Sequence, residues 1–183
     1  MNEGLIPRRY AKALYKVGVD RGDNDALYAL MNALAAAFAA EPGMQAVVSN
    51  PFVSAADKTA LLRSAVGSVA AGGADTTFDD FLHLLIDNRR IDMVRDIAVA
   101  YLDIYRKAKN IRRVRVTSAA PMAPAEEKRL RDIIAAHLGQ AKMEYSSDID
   151  PSLIGGFTVA VDSERLDASI RNDLKQLRQK LIQ

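Results

Sequence analysis

The chain has no cysteine and no tryptophan, and only two histidines. Without thiols there is no disulfide framework, no thiolate zinc site and no cysteine nucleophile. His83 and His137 have no carboxylate or second histidine at metal-binding spacing, so both read as structural or solvent-facing. An excess of one charge is also missing: 25 Lys and Arg stand against 23 Asp and Glu in 183 residues. Neither the first 110 residues nor the remainder carries the surplus expected of a dedicated phosphate-backbone binder. No uncharged run exceeds that of residues 26 to 40, which is mostly alanine and falls short of the roughly 20 apolar residues that span a bilayer.

Motifs that carry chemistry are absent in the same way. No G-x-x-x-x-G-K-[ST], G-x-G-x-x-G or G-x-S-x-G occurs, so phosphate-cradling loops and a nucleophile elbow are excluded. Asp79-Asp80 and Glu126-Glu127 fall in predicted first helical turns, where acids favour the helix dipole. Asp148-Ile149-Asp150 begins like a calcium loop, but Pro151 follows, the sixth place has no glycine, and Val159 stands where a bidentate Glu belongs. Arg8-Arg9 suggests an export signal until Lys12, Lys16, Asp20 and Arg21 interrupt the region behind it. The chain is expected to have no catalytic residues, no metal, no cofactor and no signal peptide.

What is present is helical periodicity, then a change of period. A helix is expected from about Pro7 to Arg21, and another from about Asp25 to Ala40 with Leu27, Leu30, Met31, Leu34 and Phe38 on one face. A short helix runs through Met44, Val47 and Val48. Ser54 with Asp57 has capping-box spacing and opens a helix through Leu61, Leu62 and Val66. Thr76 or Thr77 is expected to cap a helix from Phe78 to Asn88. Val94, Ile97, Tyr101, Ile104 and Tyr105 mark the last helix of this half. Six helices with short links predict a bundle over residues 1–109.

From residue 110 the pattern is that of a small α/β domain, 110–183. Val114 and Val116 alternate with charged residues as a strand does. A helix follows, expected to bury Leu130, Ile133, Ile134 and Leu138. Met143 and Tyr145 suggest a second strand. Pro151, Gly155 and Gly156 introduce a third, with Phe157, Val159 and Val161 on one side; the glycine pair is expected to permit a tight backbone path. Residues 163 to 165 turn a hairpin back through Leu166. Asp167 is expected to N-cap a terminal helix carrying Ile170, Leu174, Leu177 and Leu181.

Two helices are more apolar than one core face requires. In the first, Ala11, Leu14, Tyr15 and Gly18 can face the bundle while Ile6, Tyr10, Ala13 and Val17 form a second stripe. In the fifth, Phe78, Leu82 and Leu85 supply a core face, leaving Phe81 and Leu84 beside it. Either these helices are buried on two sides, or the stripes form a groove for a partner's amphipathic helix. The only basic concentration is Arg106, Lys107, Lys109, Arg112, Arg113 and Arg115. It reads as a solvated interdomain segment or, alternatively, as the contact of a nucleic-acid-associated adaptor, without the aromatic platform that single strands favour.

Arg9-Tyr10-Ala11-Lys12-Ala13-Leu14-Tyr15, Asn50-Pro51 with Lys58 and Leu62, and Phe81-Leu82 through Leu85 with Asn88 and Arg90 form an ordered set. Val114-Arg115-Val116 with Ser118-Ala119, the run from Asp150 to Phe157, and Asp167, Ser169-Ile170, Asn172 and Leu174 continue it. This order resembles the delta subunit, or oligomycin-sensitivity-conferring protein, family of the rotary, proton-driven F-type ATP synthase. The resemblance covers nearly the whole chain; the segment from Gly67 to Ala74 adds nothing to it. It implies a non-catalytic stator subunit that links the catalytic head to the peripheral stalk and resists rotor torque during proton-driven ATP synthesis. It further implies that the helical domain binds N-terminal helices of alpha subunits in a groove between its first and fifth helices. The C-terminal domain would hold the b-type stalk subunits. Association with the membrane would come only through the complex, on the cytoplasmic face of a bacterial inner membrane, and no nucleic acid is implied.

Overall fold

The structure, a computed structural model, describes residues 4–67, 74–153, 155–162 and 164–169. The chain is mostly helical with a small four-stranded mixed sheet, and it divides into two compact units, Met1–Lys107 and Ala108–Gln183. The first contains α1 (Leu5–Arg21), α2 (Asn24–Ala40), α3 (Gly43–Ser49), α4 (Ala55–Val66), α5 (Asp75–Asp87) and α6 (Val94–Ala108), the last preceded by a 3-10 turn, Ile91–Met93.

Local chemistry sets these boundaries. Pro7 is buried in the first turn of α1, where its missing N–H leaves no helical bond unmade. Gly22 ends α1 with φ +75°, a left-handed cap that glycine adopts without Cβ strain. Ser54 Oγ accepts from the Asp57 N–H and caps α4, as the sequence predicts. Thr77 departs from expectation. Helix α5 starts earlier, at Asp75, and Thr77 is a buried first-turn residue whose hydroxyl bonds across to Asp23 rather than capping its own helix.

The bundle core is the one the apolar spacing predicts. Leu27, Leu34, Leu62, Leu85 and Ile97 are wholly buried and Phe78 nearly so. Burial of each such side chain contributes about 1.5–3 kcal/mol relative to exposure.

The second unit comprises β1 (Ile111–Ser118), α7 (Pro124–Leu138), β2 (Lys142–Ile149), a 3-10 turn (Pro151–Leu153), β3 (Gly156–Val161) and β4 (Glu164–Ser169). Strand order is β2-β1-β3-β4. β1 pairs parallel with β2, which the α7 crossover allows, and antiparallel with β3; β3 and β4 form an antiparallel hairpin. Val114, Val116 and Val159 bury one face against Ile134 of α7, with Phe157, Val161, Leu130 and Leu138 packed around them.

Two expectations need correction here. Ile133 is 58% exposed: α7 rests on the sheet along one side only, and the neighbouring Ile134 takes the buried place about 100° away. Asp167 does not cap a helix. It lies within β4, its backbone opposite Thr158, because the hairpin continues past Leu166. The expected helix with Ile170, Leu174, Leu177 and Leu181 lies outside the described residues.

Candidate partner-docking site

Nothing in the described residues assembles a reacting centre. His83 and His137 are both exposed, and no group of three or more His, Asp or Glu residues is placed to hold a metal ion among the described residues. The adjacent acids Asp79 and Asp80 do not act on each other: Asp79 accepts from Arg63 Nε at 2.8 Å and Asp80 from Arg21 at 3.0 Å. No described helix is long and apolar enough to cross a membrane.

The basic segment is partly neutralised. Arg112 pairs with Asp162 at 2.9 Å, and Arg115 approaches Asp148 at 3.5 Å. The Arg106 guanidinium stands 5.6 Å from the centre of the Tyr28 ring. The two carboxylates offset part of the positive charge that a nucleic-acid adaptor would present, while Arg106 keeps its charge.

The surface features of α1 follow from its sequence. At about 100° per residue, Pro7, Ala11, Leu14 and Gly18 share one face, and all four are buried. Ile6, Tyr10, Ala13 and Val17 share another face, about 100° around the helix. Ile6 and Tyr10 are half-buried, Ala13 is exposed, and Val17 is 38% exposed. An apolar stripe therefore runs the length of α1 outside its own core contact.

Helix α5 adjoins α1 and is tied to it at one end. Arg21, in the last turn of α1, donates to Thr77 Oγ1 at 2.9 Å and to Asp80 Oδ2 at 3.0 Å. The Thr77 hydroxyl donates in turn to Asp23 in the α1–α2 corner. On α5, Leu84 is 48% exposed, outside that helix's buried set. Phe81 is not. It is 5% exposed and belongs to the core with Phe78, Leu82 and Leu85, so its place on an open stripe is corrected. Since Phe81 precedes Leu82 by one helical step, the core sector of α5 is wide enough to include both.

Buried polar bonds hold the helices behind this surface. Tyr101 Oη donates to Asn24 Oδ1 at 2.7 Å, and Tyr105 Oη to Asp25 Oδ1 at 2.7 Å. Burial pushes the Tyr101 hydroxyl well above the usual phenol range, and the nearby Asp23 carboxylate reinforces it. Tyr105 is raised by burial and by its bond to Asp25. Both phenols stay protonated as donors, which keeps α6 fastened to the start of α2.

In the second unit, Gly156 opens β3 with φ +78°, and its carbonyl accepts from the Ala119 N–H at 3.2 Å. Gly155 is half-buried beside it. A further feature of α1 escapes a linear reading: Arg8, Arg9 and Lys12 line a cleft with Lys107 of α6. The basic spacing on α1 was visible in sequence, but its proximity to α6 depends on the tertiary fold.

Comparison with known proteins covers nearly the whole chain. The family described as "ATP synthase delta (OSCP) subunit" matches residues 6–181. The chain is similar to ATP synthase subunit delta of Bacteroides thetaiotaomicron, 38% identical over 182 residues, covering 100% of this chain and 96% of that one. It is also similar to the protein of the same name from Parabacteroides distasonis, 34% identical over 185 residues, covering 100% and 99%. Among solved structures, a chain of the Toxoplasma gondii mitochondrial ATP synthase hexamer superposes with a TM-score of 0.72 at 21% identity, covering 97% of each chain, a likeness of fold. The chain belongs to the ATP synthase delta (OSCP) subunit family.

Proposed function

We infer that this chain, a non-catalytic stator subunit of the F-type ATP synthase peripheral stalk, performs that role by gripping two partners at two separate surfaces. The helical unit, as a six-helix bundle, takes an N-terminal helix of an alpha subunit. The small α/β unit takes the end of the b-type stalk subunits. The complex thereby places the chain at the cytoplasmic face of a bacterial inner membrane.

The observation that carries the first half is the stripe of Ile6, Tyr10, Ala13 and Val17, which lies outside α1's core face, with Leu84 exposed on the adjoining helix. An apolar surface between two helices suits an amphipathic helix, which buries its own stripe there. Slow dissociation is what a stator requires. An interface burying roughly 800 Å² per partner can supply it when its centre is apolar and preformed.

Ala13→Asp tests the reading directly. Ala13 is exposed, so the full-length variant is expected to melt like the parent while losing binding to an alpha-subunit N-terminal peptide in calorimetry. An unpaired carboxylate desolvated in the interface costs several kcal/mol. Undiminished binding by the folded variant overturns the groove assignment.

A further inference from the structure

We propose that the cleft between α1 and α6 is a second docking site, which receives an acidic amphipathic helix from another polypeptide. The cleft has a volume of about 600 Å³. Among the described lining residues its cations are Arg8, Arg9 and Lys12 from α1 and Lys107 from α6, against one acid, Asp103. Arg8, Arg9, Lys12 and Lys107 are all exposed. None of the four forms an ion pair among the described residues. Four unpaired cations along one concavity repel one another, and an anionic partner relieves that repulsion.

The apolar part of the lining argues for a helix rather than a small anion. Leu5, Ala100 and Ile104 line the same cleft, and Leu5 is 67% exposed. Phosphate would engage the cations and leave these side chains in water. The lining positions are 5, 8, 9 and 12 on one helix and 100, 103, 104 and 107 on the other. Both sets repeat as i, i+3, i+4, i+7, the spacing of a helix seam over two turns, about 10 Å long. A third helix laid in that seam can cover the apolar lining with its own apolar stripe. Glu or Asp on its flanks would then meet the arginines and lysines.

This site is separate from the α1–α5 groove. On α1 its positions lie about 120° around the helix from Ile6, Tyr10, Ala13 and Val17, with the core face between the remaining sectors. One helix therefore offers a mainly apolar flank to one partner and a basic flank to another.

The test uses full-length protein and a synthetic amphipathic helix of roughly three turns, with glutamates flanking a leucine stripe. Binding is followed by fluorescence anisotropy and by backbone amide shifts. The expected result is saturable binding that weakens with salt, with shifts centred on Leu5, Ala100 and Ile104. Arg8→Glu, Lys12→Glu and Lys107→Glu should each weaken it about tenfold without changing the melting transition. Asp103→Asn should strengthen it, an effect that loss of folding cannot mimic. Equal affinity for the same peptide with glutamine in place of glutamate overturns the proposal, as do shifts confined to Ala13 and Leu84. A response to inorganic pyrophosphate or to phosphatidylglycerol vesicles, with none to the peptide, overturns it as well.

Discussion

Tyr101 and Asn24 lie 77 positions apart in sequence and meet in the bundle core, where the phenol donates to Asn24 Oδ1 at 2.7 Å. Gly18 makes room for this pair. A Cβ at Gly18 would collide with the Asn24 side chain and stand 2.8 Å from Leu27 Cδ1. The absence of a side chain on α1 thus lets α2 approach closely enough for its first residue to reach α6.

Tyr101→Phe is expected to destabilise the helical unit by about 1–3 kcal/mol, because Asn24 Oδ1 is left buried without its donor. Gly18→Ala should also destabilise, through displacement of Asn24 and Leu27. Urea unfolding of the variants checks both, and wild-type midpoints would show that the contact is dispensable.

Gly156→Asp is expected to destabilise the small unit by about 1–2 kcal/mol, since a positive φ of +78° disfavours a Cβ, though less for Asp than for most residues. Helicity should be little changed, because the strand it opens belongs to the sheet. Thermal melting followed at a strand-unit probe, such as the Tyr145 ring signals, provides the measurement.

Asp162 gives a pH dependence. Burial alone would raise its carboxyl, but the Arg112 guanidinium and the Arg113 N–H more than offset this and hold it below the usual carboxylate range. A depressed folded-state value means that the native state binds fewer protons. The contribution is therefore complete above the ordinary carboxylate value, near 4, and disappears as pH falls through the lower folded value. Exposure and salt screening keep it to under about 1 kcal/mol. Asp162→Asn, which keeps a residue tolerant of the φ of +51° found here, should be less stable than the parent at neutral pH. The two should converge in strong acid. A gap that persists at low pH refutes the electrostatic origin.

Removal of residues 170–183, which spares β4, is expected to abolish binding to the b-type subunits while leaving alpha-peptide binding intact. ATP hydrolysis by the detached head should continue, but proton-coupled synthesis should fail. Retained coupling would argue against stalk attachment through this half.

Periodicity made much of this legible. The stripe of Leu27, Leu30, Met31, Leu34 and Phe38 on α2 is entirely buried, and the Ser54 cap lies where its spacing places it. Failures occurred where local and tertiary chemistry offer the same residue different partners. Thr77 is a good cap by type, yet it is used to join α5 to Asp23. Asp167 has the composition of an N-cap, but the hairpin ladder claims its backbone. Phe81 and Ile133 each stand one helical step from a core residue. How wide a buried sector becomes depends on what packs against it, which a single helix does not encode. The cleft cations were visible singly, whereas their convergence required α6 to lie beside α1.

The parallel pairing of β1 with β2 has a consequence during synthesis. Ile111 must await Lys142 before the pair can close, with the whole of α7 in between. As the chain emerges from the ribosome, β1 spends that interval with both edges bare, open to pairing with a neighbouring nascent chain. Arg112, Arg113 and Arg115 punctuate its apolar residues, and like charge on two such strands opposes their union. Charge at these positions raises the cost of joining two such strands before any partner subunit is present.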